Sequence, residues 1–426
     1  MPRAPISRLL AAGALAALSA IGAVGAGSAQ AAEPIKIGFG MALTGGLASA
    51  GKGALLGMQI WAEETNAKGG LLGRPVKLVY YDDQSNPATV PGIFTKLLDV
   101  DKVDLVVGDY GTNLIAPAMP IVIAHKMAFL ALFGLNVNKN FHYDRYFSFV
   151  PTGGMHPSES FSKPFFEVAA RQSPKPKTLA IIAADSDFAL HGAEGARANA
   201  KAIGMQIVYD KTYPPGTADF TPIVRAIQAT NPDAVFVASY PPGSAGMTRA
   251  IAEVGLKTKL LGGGMVGLQY ASLKTNLGPE LNGIVDYDFW EPAKTLLFPG
   301  VDQFLKIYQA KAEAAGVDPL GYYLPPFAYG YLQVLAEAVK GTQSLNQAKL
   351  AAYLHSNTFK TIVGDIKFGA NGEWAVPRVL EVQYHGVVGR GLDQWKSDER
   401  QIVLWPPKYA TGKAIYPYTA AARESQ

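Results

Sequence analysis

The sequence predicts an α/β protein built from two doubly wound lobes. Predicted strands alternate with predicted helices from residue 35 to residue 133, and the same alternation restarts after the segment Pro151-Thr152-Gly153-Gly154. Alternating strands and helices favour parallel sheets that are covered by helices on both faces. A helical stretch and short strands follow the second half, so we expect the chain to cross between the lobes more than once.

The first half opens with a strand, a small-residue turn and a helix. Ile35, Ile37 and Phe39 fall on one face of a predicted strand over residues 35–40. A glycine-rich turn follows, and a helical pattern runs from about Ala54 to the stop at Gly69-Gly70. Further strands are predicted over residues 76–81, 105–108 and 129–133, with helices over residues 91–100 and 115–125.

The second half repeats this pattern as a second Rossmann-like lobe. Strands are predicted over residues 178–184, 206–213, 234–239 and 259–261, with helices over residues 192–203, 220–230 and 247–254. Beyond residue 287 two amphipathic helices are predicted. The pair Asn371-Gly372 then predicts a hairpin between strands over residues 364–368 and 379–384.

These patterns predict the domain bounds. We expect a first lobe of residues 32–152 and 289–361, a second lobe of residues 153–288 and 362–405, and a C-terminal tail of residues 406–426. The crossings between the lobes are predicted near residues 150–156, 286–292 and 362–378.

The first 31 residues have the features of a signal peptide. Arg3 and Arg8 form a basic start, residues 9–26 are apolar and small, and Ala29-Gln30-Ala31 is an A-x-A cleavage motif. A membrane anchor is the alternative, but the apolar stretch is poor in Leu and Ile and ends at the cleavage motif. We therefore expect export and a soluble mature protein in a bacterial periplasm.

Composition excludes several functions. The chain has no cysteine, which rules out disulfides, thiolate metal sites, a cysteine nucleophile and a lipidated cysteine. The net charge is +4, of which Arg3 and Arg8 contribute two charges, so no electrostatic footprint for nucleic acid is present. No segment after the predicted signal peptide is long and apolar enough to span a bilayer.

Two motifs suggest catalysis or a cofactor, and both have simpler interpretations. Residues 46–52 match G-x4-G-K, but Gly53 stands where a nucleotide site needs a Ser or Thr ligand for Mg²⁺. Asp185 and Asp187 could form an acid–base pair, although a helix-capping loop explains them better. The histidines show no metal-ligand spacing, so we expect neither a cofactor nor a metal.

The predicted strand ends supply the candidate ligand site. Ligands in open α/β sheets bind beyond the carboxyl ends of the strands. Four aromatic residues lie at such positions, namely Tyr110, Phe133, Phe188 and Tyr240. Aromatic walls with a few hydroxyls and amides suit a small organic solute. The predicted ligand-binding residues are Thr44, Asp109, Tyr110, Thr112, Phe133, Gly134, Leu135, Phe188, Tyr240 and Met265.

At these residues the chain resembles the type I periplasmic solute-binding proteins, in the branch of the leucine/isoleucine/valine-binding protein. The resemblance covers about residues 34–385. It rests on the opening segment IKIGFGMALTGGLASAGKGALLGMQIWAEETNAKGGLLGRPVKLVYYDD and on VDLVVGDYGT, DFTPIVRAIQATNPDAVFVASYPP, FPGVDQFLKIYQAK and PFAYGYLQVLAEA.

The resemblance implies two lobes joined by three hinge segments that close on a solute, and delivery of the solute to a permease driven by an ATPase. In amino-acid-binding members, hydroxyls and backbone N–H groups of the first lobe hold the ligand carboxylate. The matching positions here are Thr112 and the loop of residues 133–135. Aromatic side chains at the positions of Phe188 and Tyr240 cover the ligand in those members.

One departure from the family bears on the ligand. Amino-acid-binding members place an acidic residue near Gly264 to pair the ligand ammonium, whereas this chain has Gly262-Gly263-Gly264-Met265. An ammonium group desolvated without a counter-charge costs roughly several kcal/mol. Asp109 or Asp187 could compensate. The sequence therefore favours a small organic carboxylate without an α-ammonium, aromatic solutes included.

Other functions stay open at this stage. A branched-chain or other amino acid, a small amide or urea would be alternative ligands. A ligand-sensing domain of the same fold, an exported hydrolase that uses Asp185 or Asp187, and a structural exported protein are the rival classes. We expect a monomer that partners with a membrane permease and its ATPase.

Overall fold

The computed structural model describes residues 33–421. The predicted signal peptide, residues 1–31, and the last five residues of the predicted C-terminal tail lie outside the described residues. The strands are β1 (Ile35–Met41), β2 (Val76–Asp82), β3 (Leu105–Tyr110), β4 (Phe129–Leu132), β5 (Tyr146–Phe149), β6 (Thr178–Ala184), β7 (Gln206–Tyr213), β8 (Ala234–Ser239), β9 (Leu260–Met265), β10 (Val285–Asp288), β11 (Thr358–Thr361), β12 (Gly364–Lys367), β13 (Leu380–Tyr384) and β14 (Gln401–Trp405).

Helices follow most of these strands. The α-helices are α1 (Ala48–Ala67), α2 (Val90–Thr95), α3 (Thr112–Ile115), α4 (Met119–Ala124), α5 (Pro157–Ala170), α6 (Asp187–Ala202), α7 (Thr221–Ala229), α8 (Pro241–Val254), α9 (Ala271–Leu277), α10 (Val301–Ala315), α11 (Pro325–Thr342), α12 (Gln347–Ser356) and α13 (Tyr418–Ala421). A π-helical turn, Lys96–Val100, extends α2, and a 3-10 turn, Ala116–Ala118, joins α3 to α4.

The first sheet contains five parallel strands in the order β2-β1-β3-β4-β5. Every residue of the central strands β3 and β4 is buried, as expected for strands covered on both faces. Strand β5 lies at the edge of the sheet and is also buried, because the turn of residues 371–374 packs against it. Helices α10 and α11 return from late in the sequence to pack on α1. Helix α11 can approach α1 closely because residue 57 is a glycine: a Cβ there would lie 2.6 Å from the Pro325 carbonyl oxygen.

The second sheet contains seven strands in the order β14-β13-β10-β9-β8-β6-β7. Strands β6 to β10 run parallel, and β13 and β14 add antiparallel strands at one edge. Gly262 lies in β9 with a φ of 144°, and a Cβ there would lie 1.5 Å from the Val285 carbonyl oxygen of β10. The glycine run therefore lets the neighbouring strand approach closely, and β9 continues through it to Met265.

The predicted hairpin at Asn371-Gly372 is wrong. Strand β12 pairs with β11, whereas β13 pairs with β10 in the second sheet. The two sides of the turn meet only over a short stretch, with a bridge from Phe368 to Trp374 and a 2.7 Å bond from the Ala375 N–H to the Lys367 carbonyl. The turn instead bonds to β5, where the Ser148 N–H donates to the Gly372 carbonyl at 2.8 Å.

The predicted fold class is confirmed as α/β with two parallel-sheet lobes. The chain passes between the sheets after β5, after β10, and between β12 and β13. The exact lobe bounds stay a prediction. No helix between residues 33 and 421 is both long enough and apolar enough to cross a membrane.

Candidate functional site

The tips of the two sheets face each other across a small cavity of about 20 Å³. The lining residues come from the carboxyl ends of strands, from helix starts and from the segments between the lobes. They are Tyr110, Gly111, Phe133, Leu135, Val150, Thr152, Phe161, Phe188, Tyr240, Val266, Tyr287, Phe289 and Tyr323. This volume is enough for about one water molecule, so a larger solute needs the walls to move apart.

The first sheet supplies Tyr110 at the end of β3 and Phe133 directly after β4. Phe133 has a φ of 59°, which turns the chain sharply at the strand end. Its ring contacts three aromatic rings edge-on, with centroid distances of 4.8 Å to Phe289, 5.3 Å to Tyr323 and 5.0 Å to Phe327. Phe133 therefore anchors one aromatic wall of the cavity.

The second sheet supplies the opposite wall. Phe188 lies in the first turn of α6, and Tyr240 is the N-cap residue of α8. The Phe161 ring of α5 packs against Phe188 at 5.2 Å and against Tyr287 of β10 at 4.9 Å. The two aromatic walls leave a narrow space with an apolar surface.

Three hydroxyl hydrogen bonds join elements of the two lobes around this cavity. The hydroxyls of Tyr110 and Tyr270 are 2.7 Å apart. The hydroxyls of Tyr287 and Tyr323 are also 2.7 Å apart. The Tyr240 hydroxyl donates to Asn113 Oδ1 at 3.0 Å. Since these bonds connect strand tips of opposite sheets, the structure shows the lobes closed on each other.

Burial keeps the tyrosine hydroxyls protonated. Desolvation raises the pKa of Tyr110 and of Tyr287, and it does the same for Tyr240, Tyr270 and Tyr323. Neutral phenols are good hydrogen-bond donors, so the cavity can donate bonds to an oxygen without supplying a positive charge.

None of the side chains lining the cavity, all within the described residues, carries a charge. Helices α6 and α8 begin at the cavity wall, and α11 begins next to Tyr323, so the positive ends of three helix dipoles lie nearby. Helices α8 and α11 each start with two prolines, which have no N–H to donate. The site thus favours negative charge while leaving its hydrogen bonding to hydroxyls.

The structure places five of the ten predicted site residues in the cavity wall. These are Tyr110, Phe133, Leu135, Phe188 and Tyr240. The other five do not line the cavity and make contacts elsewhere in the structure.

Three of these five use their side chains or carbonyl groups to fix the first lobe. The exposed Thr44 donates its hydroxyl to Asp82 Oδ2 at 2.7 Å. Thr112 Oγ1 accepts from the Leu135 N–H at 3.0 Å, which holds the loop after β4. The Gly134 carbonyl likewise accepts a bond from the Ser148 hydroxyl at 2.8 Å.

Asp109 faces away from the cavity, toward Asp83 and β1. A Cβ on Gly40 would lie 3.1 Å from Asp109 Oδ2 and 3.8 Å from Asp83 Oδ2. Burial, the hydrogen bond to Asp83 and the charge of that carboxyl raise the pKa of Asp109. Asp109 is fully buried beside Asp83, away from the cavity, so it is not positioned to pair a ligand cation. Asp187, the other candidate counter-charge, is exposed at the start of α6 and does not line the cavity.

Met265 misses the cavity by one residue. Strand β9 extends to Met265, whose N–H donates to Asp286 Oδ1 at 2.9 Å, so Val266 is the residue at the tip. A Cβ on Gly264 would lie 3.0 Å from the Phe161 ring. The space next to Gly264 is therefore occupied by an aromatic ring.

Sequence reasoning missed the lining residues that are not at the predicted strand ends. These are Val150 and Thr152 between the lobes, Phe161 in α5, Val266, Tyr287 and Phe289 around the ends of β9 and β10, and Tyr323 before α11. Tyr287 lies in β10 and Phe289 directly follows it, and this strand was not predicted from the sequence. Among residues 33–421 no group of three His, Cys, Asp or Glu side chains is arranged to hold a metal ion.

Comparison with known proteins identifies the family. The family model for periplasmic binding proteins matches residues 34–379. The chain belongs to the periplasmic binding protein family. This match confirms the resemblance noted in the sequence.

Relatives of this periplasmic binding protein carry names from the same family. It is 26% identical over 338 residues to an amino acid binding protein of Pseudomonas aeruginosa, covering 76% of this chain and 85% of that protein. The named relatives are binding proteins rather than enzymes.

Solved structures share its fold. The branched-chain amino acid transporter substrate binding protein LivJ from Streptococcus pneumoniae, in complex with isoleucine, superposes with a TM-score of 0.72 at 22% identity, covering 88% of this chain and 100% of that one. A solute binding protein of an ABC transporter from R. palustris, in complex with 4-hydroxybenzoate, superposes with a TM-score of 0.74 at 19% identity, covering 90% of this chain and 98% of that one.

Proposed function

We propose that this protein is the periplasmic solute-binding component of an ABC importer. We further propose that its solute is a small organic carboxylate without an α-ammonium, and that aromatic carboxylates belong to this class. The carrying observation is the cavity between the strand tips, which is walled by aromatic rings and contains no charged side chain. The captured solute would pass to a membrane permease driven by an ATPase.

The absence of a lining counter-charge argues against a zwitterion. An ammonium group in this cavity would lose its hydration without gaining an anionic partner, at a cost of roughly several kcal/mol. Phe161 occupies the space next to Gly264, and Asp109 is engaged with Asp83. A carboxylate fares better, because neutral tyrosine hydroxyls can donate to it and helix N-termini lie nearby.

The ring geometry supports an aromatic solute. Phe133 and Phe289 lie on one side of the cavity and Phe188 on the other, and aromatic faces and edges pack favourably against a further ring. The R. palustris neighbour bound to 4-hydroxybenzoate supports this class, since the same fold accommodates such a solute there.

Binding would work by lobe closure. Without solute an open form competes with the closed form, and the solute favours the closed form because it contacts both lobes there. The bonds from Tyr110 to Tyr270 and from Tyr240 to Asn113 would form only on closure, so the protein itself contributes to the closed state.

An amino-acid ligand is the second candidate, and the printed names of the relatives favour it. The P. aeruginosa relative is an amino acid binding protein, and the LivJ structure contains isoleucine. This candidate needs an ammonium partner that the described lining does not provide.

A thermal-shift screen separates the two candidates. We expect benzoate, 4-hydroxybenzoate and phenylacetate at millimolar concentration to raise the melting temperature by several degrees, as tight ligands of the folded state do. Leucine, isoleucine and phenylalanine should leave it unchanged. Stabilisation by amino acids alone would overturn the proposed ligand class, and no stabilisation by any solute would overturn the binding function.

A further inference from the structure

We propose that the hydroxyl of Thr152 is the hydrogen-bond donor that anchors the solute carboxylate, and that it selects solutes carrying this group at the end of the cavity next to the first crossing segment. This inference rests on the proposed function and adds the residue that recognises the polar group of the solute.

The Thr152 hydroxyl forms no hydrogen bond with any described residue. The side chain is fully buried, and it lines the cavity. Within residues 33–421 its Oγ1 atom has no hydrogen-bond partner. Buried hydroxyls in proteins are nearly always bonded, because a desolvated hydroxyl without a partner is destabilising. A solute oxygen in the cavity would supply the missing partner.

The backbone on both sides of Thr152 is fixed. The Pro151 carbonyl accepts from the Arg378 N–H at 2.7 Å, and the Gly154 N–H donates to the Trp374 carbonyl at 2.7 Å. Gly153 has a φ of 58°, and a Cβ there would lie 2.4 Å from the Trp374 carbonyl oxygen. Backbone bonds from Arg378 and to Trp374, both in the third crossing segment, thus hold the residues on both sides of Thr152. These bonds fix the position of Thr152 at the cavity.

The other hydroxyls of the cavity already have protein partners. Tyr110 is bonded to Tyr270, Tyr323 to Tyr287, and Tyr240 to Asn113. A solute that accepted the proton of Tyr240, or of the donating hydroxyl in either tyrosine pair, would break a bond between the lobes, whereas a bond to Thr152 displaces nothing.

Thr112, the family position for the carboxylate, does not line this cavity. Its Oγ1 atom already accepts a bond from the Leu135 N–H. Thr152 is the alternative threonine that faces the cavity.

The test compares Thr152→Val with Thr152→Ser by calorimetric titration of benzoate and 4-hydroxybenzoate. Valine keeps the shape of threonine and removes only the hydroxyl, so we expect about tenfold or greater weakening for both solutes. Serine keeps the hydroxyl, and its affinity should stay within about threefold of that of the unaltered protein.

The melting temperature without solute distinguishes recognition from a structural role. Since the hydroxyl has no internal partner, Thr152→Val should melt at the same temperature as the unaltered protein or higher. A lower melting temperature together with unchanged affinity would overturn the inference.

Three further outcomes are decisive. If the unaltered protein binds aromatic carboxylates and Thr152→Val binds them equally well, the anchor assignment fails while the proposed function stands. If only 4-hydroxybenzoate is weakened, Thr152 contacts the ring hydroxyl and the carboxylate assignment fails. If the unaltered protein binds no aromatic carboxylate, the proposed function and this inference both fail.

Discussion

Tyr240 contacts both lobes with a single side chain. Its ring lies 5.5 Å from the Phe188 ring in its own lobe, and its hydroxyl donates to Asn113 Oδ1 at the tip of the first sheet. The residue therefore contributes to the cavity wall through its ring and to closure through its hydroxyl.

Replacing Tyr240 separates these two contributions. We expect Tyr240→Ala to weaken solute binding by more than about tenfold, because it removes the wall and the bond between the lobes. Tyr240→Phe should cost only about 0.5–1.5 kcal/mol of binding free energy, the value of one neutral hydrogen bond. Calorimetric titration measures both effects.

Tyr143→Phe is the matched control. It removes a tyrosine hydroxyl that donates to the Met127 carbonyl at 2.7 Å, and Tyr143 does not line the cavity. Its solute affinity should equal that of the unaltered protein. Equal affinity of Tyr240→Ala and the unaltered protein would move the site elsewhere.

The sequence predicted positions in the cavity wall where a side chain ends or closely follows a strand, and the role of these residues in binding stays a prediction. Tyr110, Phe188 and Tyr240 could be placed from the sequence, because strand ends of parallel sheets converge at one edge. Met265 was placed one residue early, because the glycine run suggested a loop where β9 continues. Tyr323 gave no signal, since only tertiary packing brings the loop before α11 to the cavity.

At the scale of elements, the turn of residues 371–374 ties the crossing segments together. Gly372 accepts a bond from Ser148, and the Asn371 side chain donates to the Gly154 carbonyl at 3.0 Å. Glu373 is buried in this turn, and its Oε2 atom has no hydrogen-bond partner among the described residues. Burial raises the pKa of Glu373 to about 8.

This buried carboxyl makes stability depend on pH. Between its unfolded pKa of about 4.5 and its folded pKa, the folded protein holds a proton that the unfolded chain has released. The free energy of unfolding therefore falls as pH rises through this window, by on the order of 4 kcal/mol at about pH 8 from this group.

Glu373→Gln should abolish this part of the pH dependence. We expect the variant to be more stable than the unaltered protein at about pH 8, with a smaller difference at about pH 5, in urea unfolding at both pH values. Glu253→Gln, which removes an exposed carboxylate from α8, is the control and should leave the pH dependence unchanged. An equal loss of stability with pH in Glu373→Gln and the unaltered protein would contradict the assignment.

Most elements could be predicted from periodicity, and the exceptions have physical causes. The buried strands β3, β6 and β8 stand out as short apolar runs between turn signals. Strand β5 was missed, because its four residues follow a long irregular segment. The Asn371-Gly372 turn was recognised, but β12 pairs with β11 across a nearer two-residue turn, and β13 pairs with the distant β10.

At the scale of the whole molecule, two sheets of similar construction present their strand tips to one cavity. The sequence predicted this arrangement, because the strand–helix alternation appears twice and the strand ends carry aromatic residues. The closed state, with its bonds between tyrosines of opposite lobes, could not be predicted, since it depends on the relative position of distant segments. The proposed ligand class rests on the absence of charged side chains from the cavity lining among the described residues.

Calorimetric titration with matched pairs tests that account most directly. The pairs are 3-phenylpropanoate against phenylalanine and 4-methylpentanoate against leucine, whose members differ only in the α-ammonium. We predict that the carboxylate of each pair binds at least about a hundredfold more tightly than the amino acid, because the cavity offers no partner for the ammonium. Tighter binding of the amino acid in both pairs would contradict the central claim.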